Sequence, residues 1–365
     1  MTDQLEYTEA ELLANHAYDE PLIAGGVRCH CGFDSDGTYV SPRTLNRVPA
    51  ITAWQQQRAA TFGTPSLDLP LDTWPAHYPN VDQAAFLIRA GVAEPIISTL
   101  TRIGTVEGFG SMIRYSVIPD LTRCFDEEID GTAMVHLGRG LYEAHARDEA
   151  GFETEGGHKQ MWFAARDVAF ESPVTGDETG LMLQRMGIST APGGTPDPTE
   201  MRRRLIANRL LPDDIDLDLE VLIERMVRLL LIEISAFHTF AWAEDVLADP
   251  TLAAGEGEAA RLVSYIRADE TPHVEYLKTV LSEMRDRTFV GTSGRRYAGT
   301  DMVGRLWQRA LAESLGSRRD EALAVTLGEV AHAVAGRRDA DDILEGFHAC
   351  ADIRPGPDGR WVDAA

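Results

Sequence analysis

Only four cysteines occur in the 365 residues, too few for a disulfide framework, so a reducing compartment is expected. Basic residues are also scarce. Lys and Arg number 34 against 58 Asp and Glu, giving a formal charge of −24, which argues against nucleic acid as the main partner because phosphate binding rests on Lys and Arg. No apolar run reaches the roughly 18 residues that suggest a membrane span. The opening MTDQLEYTEAELLANHAYDE has neither the basic nor the apolar region of a signal peptide. The expectation is a cytoplasmic chain off the membrane, and a homodimer is compatible with it. What is present is ordinary for a folded protein: 44% apolar and 25% charged residues.

Strand-like alternation is rare as well. Residues 1 to 85 are rich in turn signals, such as AGG at 24–26 and DSDG at 34–37, and read as an irregular arm with a few short helices or strands packed on the main body. From residue 86 to 290, apolar residues recur every three or four positions, the period of helices. ESPVTGDETG at 171–180 and ISTAPGGTPDPTEM at 188–201 divide this stretch into two halves. Residues 291 to 365 read as two further helical patterns and a tail. The predicted class is all-α.

Within these helices, several acids stand among apolar neighbours. In LLLIEISAFHTF, Glu233 shares its face with Met226, Leu230, Phe237 and Phe240. A carboxylate there must be satisfied internally. In ADETPHVEYL, the stripe Ala259, Leu262, Val263, Ile266 continues into Leu277, Val280, Leu281, Met284 only through Glu270 and His273. The spacing predicts one helix carrying both inward, kinked rather than started by Pro272, whose missing N–H costs roughly 3 kcal/mol. EGGH at 155–158 offers a second Glu-x-x-His, Glu155 with His158, and Glu107 lies on the stripe Ile96, Leu100, Ile103 beside Gly104, Gly108 and Gly110, which permit close approach.

The order is thus Glu, Glu-x-x-His, Glu, Glu-x-x-His. Two metal ions in a four-helix bundle require that set, with all six side chains pointing inward. Four carboxylates and two imidazoles suit two iron ions, two manganese ions or one of each. The chain here resembles the ferritin-like di-iron carboxylate superfamily, which includes ribonucleotide reductase small subunits, monooxygenase hydroxylases, acyl-carrier-protein desaturases, arylamine N-oxygenases and rubrerythrins. The resemblance covers roughly residues 90 to 285. It implies a ferritin-like four-helix bundle with Glu107, Glu155, His158, Glu233, Glu270 and His273 as ligands. It also implies an oxidoreductase that uses O₂ to hydroxylate, desaturate or N-oxygenate a small organic or acyl substrate. Electrons would come from an external ferredoxin or reductase, since neither GFGSM nor GRG stands where a dinucleotide fingerprint needs to be. A ferroxidase and a metal-free helical scaffold are the alternatives. Ile266 occupies the place, one turn before Glu270, where arylamine N-oxygenases carry an added histidine.

The first half matches this scheme less well. Gly156 and Gly157 weaken the second helix by about 1 kcal/mol each, and ARDEAGF at 146–152 imitates the ligand pattern with Phe152 in place of His. If an insertion lies between 150 and 157, Glu149 replaces Glu155 while His158 remains. Glu143, Glu127 and Glu128 are further candidates, the last two in an acidic run that reads as a solvated face. His238, Tyr142, Tyr265 and Trp162 are either amphipathic core or carriers of protons and electrons. Cys29-His30-Cys31 has no second half at zinc-ligand spacing. The basic run MRRRLIANR reads as a solvated face, or as a receiving surface for a phosphate-bearing substrate or acidic carrier.

Overall fold

The computed structural model describes residues 4–171, 176–185, 198–357 and 361–363. The second of the two dividing segments falls mostly outside them. The protein is mostly helical, with a few short strands. None of its described helices is long and apolar enough to cross a membrane.

The N-terminal arm is more regular than its turn signals suggest. After α1 (Glu9–Leu12) come β1 (Glu20–Ala24), β2 (Val27–Phe33) and β3 (Tyr39–Val40), an antiparallel sheet in that order. Gly25 and Gly26, at φ of 56° and 78°, make the tight turn between the first two strands. Asp34 makes the second turn, its side chain accepting from the backbone N–H groups of Asp36 and Thr38. A helix, α2 (Arg47–Phe62), completes the arm.

The main body begins with α3 (Val81–Arg89) and α4 (Glu94–Gly110). The short α5 (Ala133–His136) leads through a kinked turn at 137–141 into α6 (Tyr142–Ala150), which is followed by α7 (His158–Phe170). Next come α8 (Gly176–Arg185), α9 (Pro198–Ala207) and the long α10 (Leu217–Ala248), started by Asp216, whose side chain accepts from Asp218 N–H. Then follow α11 (Glu258–Asp269) and α12 (Thr271–Arg285). The predicted single helix over this last stretch is two helices, but Glu270 between them keeps right-handed helical angles (φ −74°, ψ −20°). The hydrogen bonds from Glu270 N–H to Ile266 O and from Val274 N–H to Glu270 O carry the helix path past the proline. Both side chains therefore stay on the inner face, as the apolar stripe predicts.

After the hairpin β4 (Thr288–Val290) and β5 (Arg296–Ala298), three helices follow where two are predicted: α13 (Gly299–Leu315), α14 (Ser317–Val334) and α15 (Ala340–Ala349). The predicted tail carries a hairpin of β6 (Ile353–Pro355) and β7 (Trp361–Asp363).

Helix α4 packs against α6 and α7, α7 against α11, and α10 against α11 and α12. Their apolar faces form two buried clusters. One holds Leu230, Ile234, Val274 and Tyr276, and the other holds Trp162, Phe240 and Ile266, with Phe237 touching both. Along α10 and α11–α12, the acids Glu233 and Glu270 fall where one cluster gives way to the other. A polar layer is thereby enclosed between two apolar ones.

Candidate metal centre

Seven side chains meet in that layer. His145, Glu149, Glu233 and His273 bring ligand atoms within 4.8 Å of one another, and Glu107, Glu149, His158 and Glu270 do the same. Glu149 belongs to both groups. Its Oε1 lies 3.4 Å from His273 Nδ1 and 3.6 Å from His145 Nε2, while its Oε2 lies 3.7 Å from His158 Nδ1. Glu270 likewise reaches both sides, with Oε1 2.9 Å from His158 Nδ1 and Oε2 2.7 Å from His273 Nδ1. Glu107 and Glu233 stand at the two ends, 3.9 Å from His158 and 3.4 Å from His145.

Of the six residues predicted from sequence, Glu107, His158, Glu233, Glu270 and His273 come together and Glu155 does not. Glu155 lies in the link 151–157, about a third exposed, with its carboxylate 3.5 Å from Arg28 and 3.1 Å from His30 Nδ1. The physical reason is the break in the helix. Gly151 takes φ 79°, and a Cβ on Gly157 would stand 2.3 Å from Asp148 O. The chain turns tightly between Ala150 and His158, so helical phase does not carry from Asp148 to Glu155. Glu149 fills the place instead, as the insertion alternative has it, and His158 returns as the first residue of α7.

His145 was not among the expected ligands. Its signal was available: it stands one turn before Glu149, so both face the same way. Its ring stacks on His273 at 3.9 Å between centroids, and its Nδ1 lies 3.1 Å from the Tyr276 hydroxyl, leaving Nε2 directed at the carboxylates. Glu143 pairs with Arg147 at 2.7 Å, and Glu127 accepts from Thr288, so neither joins the cluster. Glu128 is exposed.

A second layer orients the imidazoles. Asp148 Oδ2 lies 2.9 Å from His273 Nε2, and Asp269 Oδ2 lies 3.3 Å from His158 Nε2. Each aspartate precedes the cluster glutamate on its own stretch of helix and supports the histidine of the other. The Asp–Glu pairs in ARDE and RADE carried this signal in the sequence. The arm completes the layer: Arg43 and Arg47 hold Asp148, the latter at 2.8 Å, and the Tyr39 hydroxyl donates to Asp269 at 2.7 Å. Carboxylates behind imidazoles fix the ring orientation and raise ligand basicity. Tyr265 stacks on Tyr39 at 4.3 Å, Tyr142 and Trp162 are buried, and His238 lies outside the cluster, 2.9 Å from Leu71 O.

The charges are arranged around this layer. Burial and the neighbouring Glu149 and Glu270 carboxylates raise Glu107, and burial with the same two neighbours raises Glu233. Burial opposes charge on His158 and His273, but Glu270 and the other carboxylates outweigh it and raise both well above the usual imidazole range. Burial and the charge of His273 push His145 down to about 3.

Buried polar atoms test the fit of a metal. His145 Nε2, His158 Nδ1, Glu149 Oε2 and Glu270 Oε1 are buried without a hydrogen-bond partner, the 2.9 Å approach of His158 Nδ1 to Glu270 Oε1 lacking hydrogen-bond geometry, an arrangement proteins avoid unless a ligand supplies the contact. All four belong to side chains of the two groups that share Glu149. A donor set of four carboxylates and three imidazoles fits two divalent ions, whose charge the carboxylates balance. Gly110 keeps Glu149 in this position, since a Cβ there would stand 2.7 Å from Glu149 Cγ. Gly110→Ala is expected to displace Glu149 and lower metal uptake in a titration with Mn(II), with the helical circular dichroism unchanged; wild-type uptake would remove that role from the glycine.

Comparisons with family models, curated proteins and solved structures find no match to this chain.

Proposed function

We propose that the chain is a non-haem di-iron oxidoreductase that uses O₂, on a ferritin-like four-helix bundle made of α4, α6–α7, α10 and α11–α12. The observation that carries this reading is the pair of His/Glu groups sharing Glu149, with orphaned buried atoms in both. Iron bound there, or manganese in its place, would activate O₂, the oxidant for hydroxylation, desaturation or N-oxygenation of a small organic or acyl substrate. Glu107, Glu149 and Glu270 with His158 would hold one ion, and Glu149, Glu233, His145 and His273 the other. Asp148 holds Nε2 of His273 at 2.9 Å and Asp269 stands 3.3 Å behind Nε2 of His158, so that each ring would offer Nδ1 inward. The apolar clusters on both sides exclude water from the layer. Glu107 and Glu233, at the two ends, retain slight exposure, 13% and 7% of their side chains. An external electron donor, a ferredoxin or a reductase, would complete the cycle.

The test is anaerobic loading with Fe(II), metal analysis, and exposure to O₂ in a stopped-flow spectrometer. About two iron ions per chain and an O₂-dependent absorbance change are expected. Well under one ion per chain would overturn the reading, and two ions with no reaction towards O₂ would overturn the oxidoreductase part.

A further inference from the structure

Cys29-His30-Cys31 takes no part in the metal centre and lies at an irregular point of the N-terminal sheet. Pro21 pairs with Gly32 and Ile23 with Arg28, so Leu22 of β1 faces three residues of β2. A bulge of this kind bends its strand and re-aims the side chains within it. Residues two apart on a straight strand have Cα atoms about 6.6 Å apart, inside the roughly 4.4–6.8 Å that a disulfide spans. A bend shortens that distance.

Both cysteines are free and almost completely buried, and both belong to the apolar cluster that holds Trp162 and Ile266. Their thiols are within hydrogen-bond reach of each other. His30, between them, is engaged elsewhere: its Nδ1 lies 2.6 Å from Arg43 Nη1 and its Nε2 3.2 Å from Phe152 O. The three side chains do not converge on a metal ion, and among the described residues no metal-binding group includes them. What the bulge brings together is a dithiol.

The two thiols are not equivalent. The hydrogen bond from Cys31 outweighs burial and holds the Cys29 thiol below its ordinary range, while the same bond, with burial, pushes Cys31 up. Such a difference suits one sulfur to attack and the other to resolve. Tyr39 adjoins the pair. Its hydroxyl is within hydrogen-bond reach of Cys31 and donates to Asp269 at 2.7 Å, so the dithiol stands behind the carboxylate that supports His158.

We propose that Cys29 and Cys31 form a reversible disulfide, a redox site oxidised by hydrogen peroxide and reset by thiol reductants. The Cys29 thiolate attacks the peroxide and breaks its O–O bond, giving Cys29 sulfenic acid and hydroxide. The Cys31 sulfur then forms the S–S bond and displaces the sulfenic oxygen as water, while its proton neutralises the hydroxide. Two thiols and one peroxide thus give one disulfide and two waters. The site needs no metal, so its test is independent of the reading given above for the centre.

The purified full chain, held in a chelator, is treated with hydrogen peroxide, then denatured, alkylated and digested with trypsin, which releases both cysteines in the peptide 29–43. Alkylatable thiols are expected to fall from four to two. The peptide should be unalkylated and lighter by two hydrogens, and dithiothreitol should restore both thiols. In Cys31→Ser, which lacks the resolving sulfur, dimedone is expected to capture the sulfenic acid on Cys29. Circular dichroism checks that this variant folds. Cys350, the least buried of the four, serves as the internal reference. Peroxide that oxidises Cys350 while Cys29 and Cys31 stay alkylatable would overturn the site. So would a disulfide to Cys124 or Cys350, a bond between chains, or oxidation of the pair only in the urea-unfolded chain. No adduct in folded Cys31→Ser would overturn Cys29 as the attacking thiol.

Discussion

Glu149→Ala is expected to abolish metal uptake at both positions, whereas Glu155→Ala keeps the wild-type stoichiometry. Glu149 is the one residue common to the two ligand groups, and its two oxygens face different histidines. Removing it takes a ligand and a negative charge from each ion at once, so affinity should fall by more than the roughly 10- to 100-fold that loss of a supporting group costs. Glu155 is engaged with Arg28 and His30 instead. Metal analysis after anaerobic loading, followed by dialysis, reads both outcomes. Intact stoichiometry in Glu149→Ala would remove it as the shared ligand. Metal uptake in the wild type should also release protons, because His158, His273, Glu107 and Glu233 all have raised pKa values in the metal-free protein. The sign is that of competition: ligands must lose their protons to bind, so apparent affinity falls as pH is lowered. Titration in buffers of different ionisation enthalpy measures the number released.

Asp148→Ala should cost about 3–5 kcal/mol of stability even without metal, the usual result of breaking a buried ion pair from one side. Arg43 and Arg47 are almost completely buried, and Asp148 is the carboxylate both contact. Truncation leaves two guanidinium groups without it and takes the acceptor from His273 Nε2. Burial alone would raise Asp148, but Arg43 and Arg47 outweigh it and hold it well below the ordinary 3.8. For a carboxylate depressed in this way, the stabilisation is present at neutral pH and is lost as pH falls below its unfolded-state value. The gap between wild type and variant in urea midpoints should therefore be largest near pH 7 and narrow in acid. A difference below about 1 kcal/mol at pH 7 would show that Asp148 is not what offsets these arginines.

How far the site could be read depended on whether the helix carrying each residue was unbroken. Glu107, Glu233 and the Glu270–His273 pair each lie on apolar stripes that hold their phase, and phase is a local property. Even Pro272 does not destroy it, because Glu270 keeps helical angles. Glu155 failed for the opposite reason. Seven residues, 151 to 157, leave the helix between Ala150 and His158, and no period applies across a turn. Gly151, Gly156 and Gly157 announced the break, and ARDE announced the substitute, but the path of the link rests on contacts with β2, where Gly156 N–H donates to Arg28 O at 2.8 Å.

The sequence by itself determined a mostly helical chain with buried acids and histidines at helical spacing, because burial and period are written in neighbouring residues. Tertiary structure alone decided that Asp148 and Asp269 cross to each other's histidines, and that the arm's Tyr39, Arg43 and Arg47 stand behind them. Those pairings span about a hundred residues or more, as from Arg43 to Asp148 and from Tyr39 to Asp269. Nothing local encodes them. They follow from the need to satisfy every buried charge once the helices have packed.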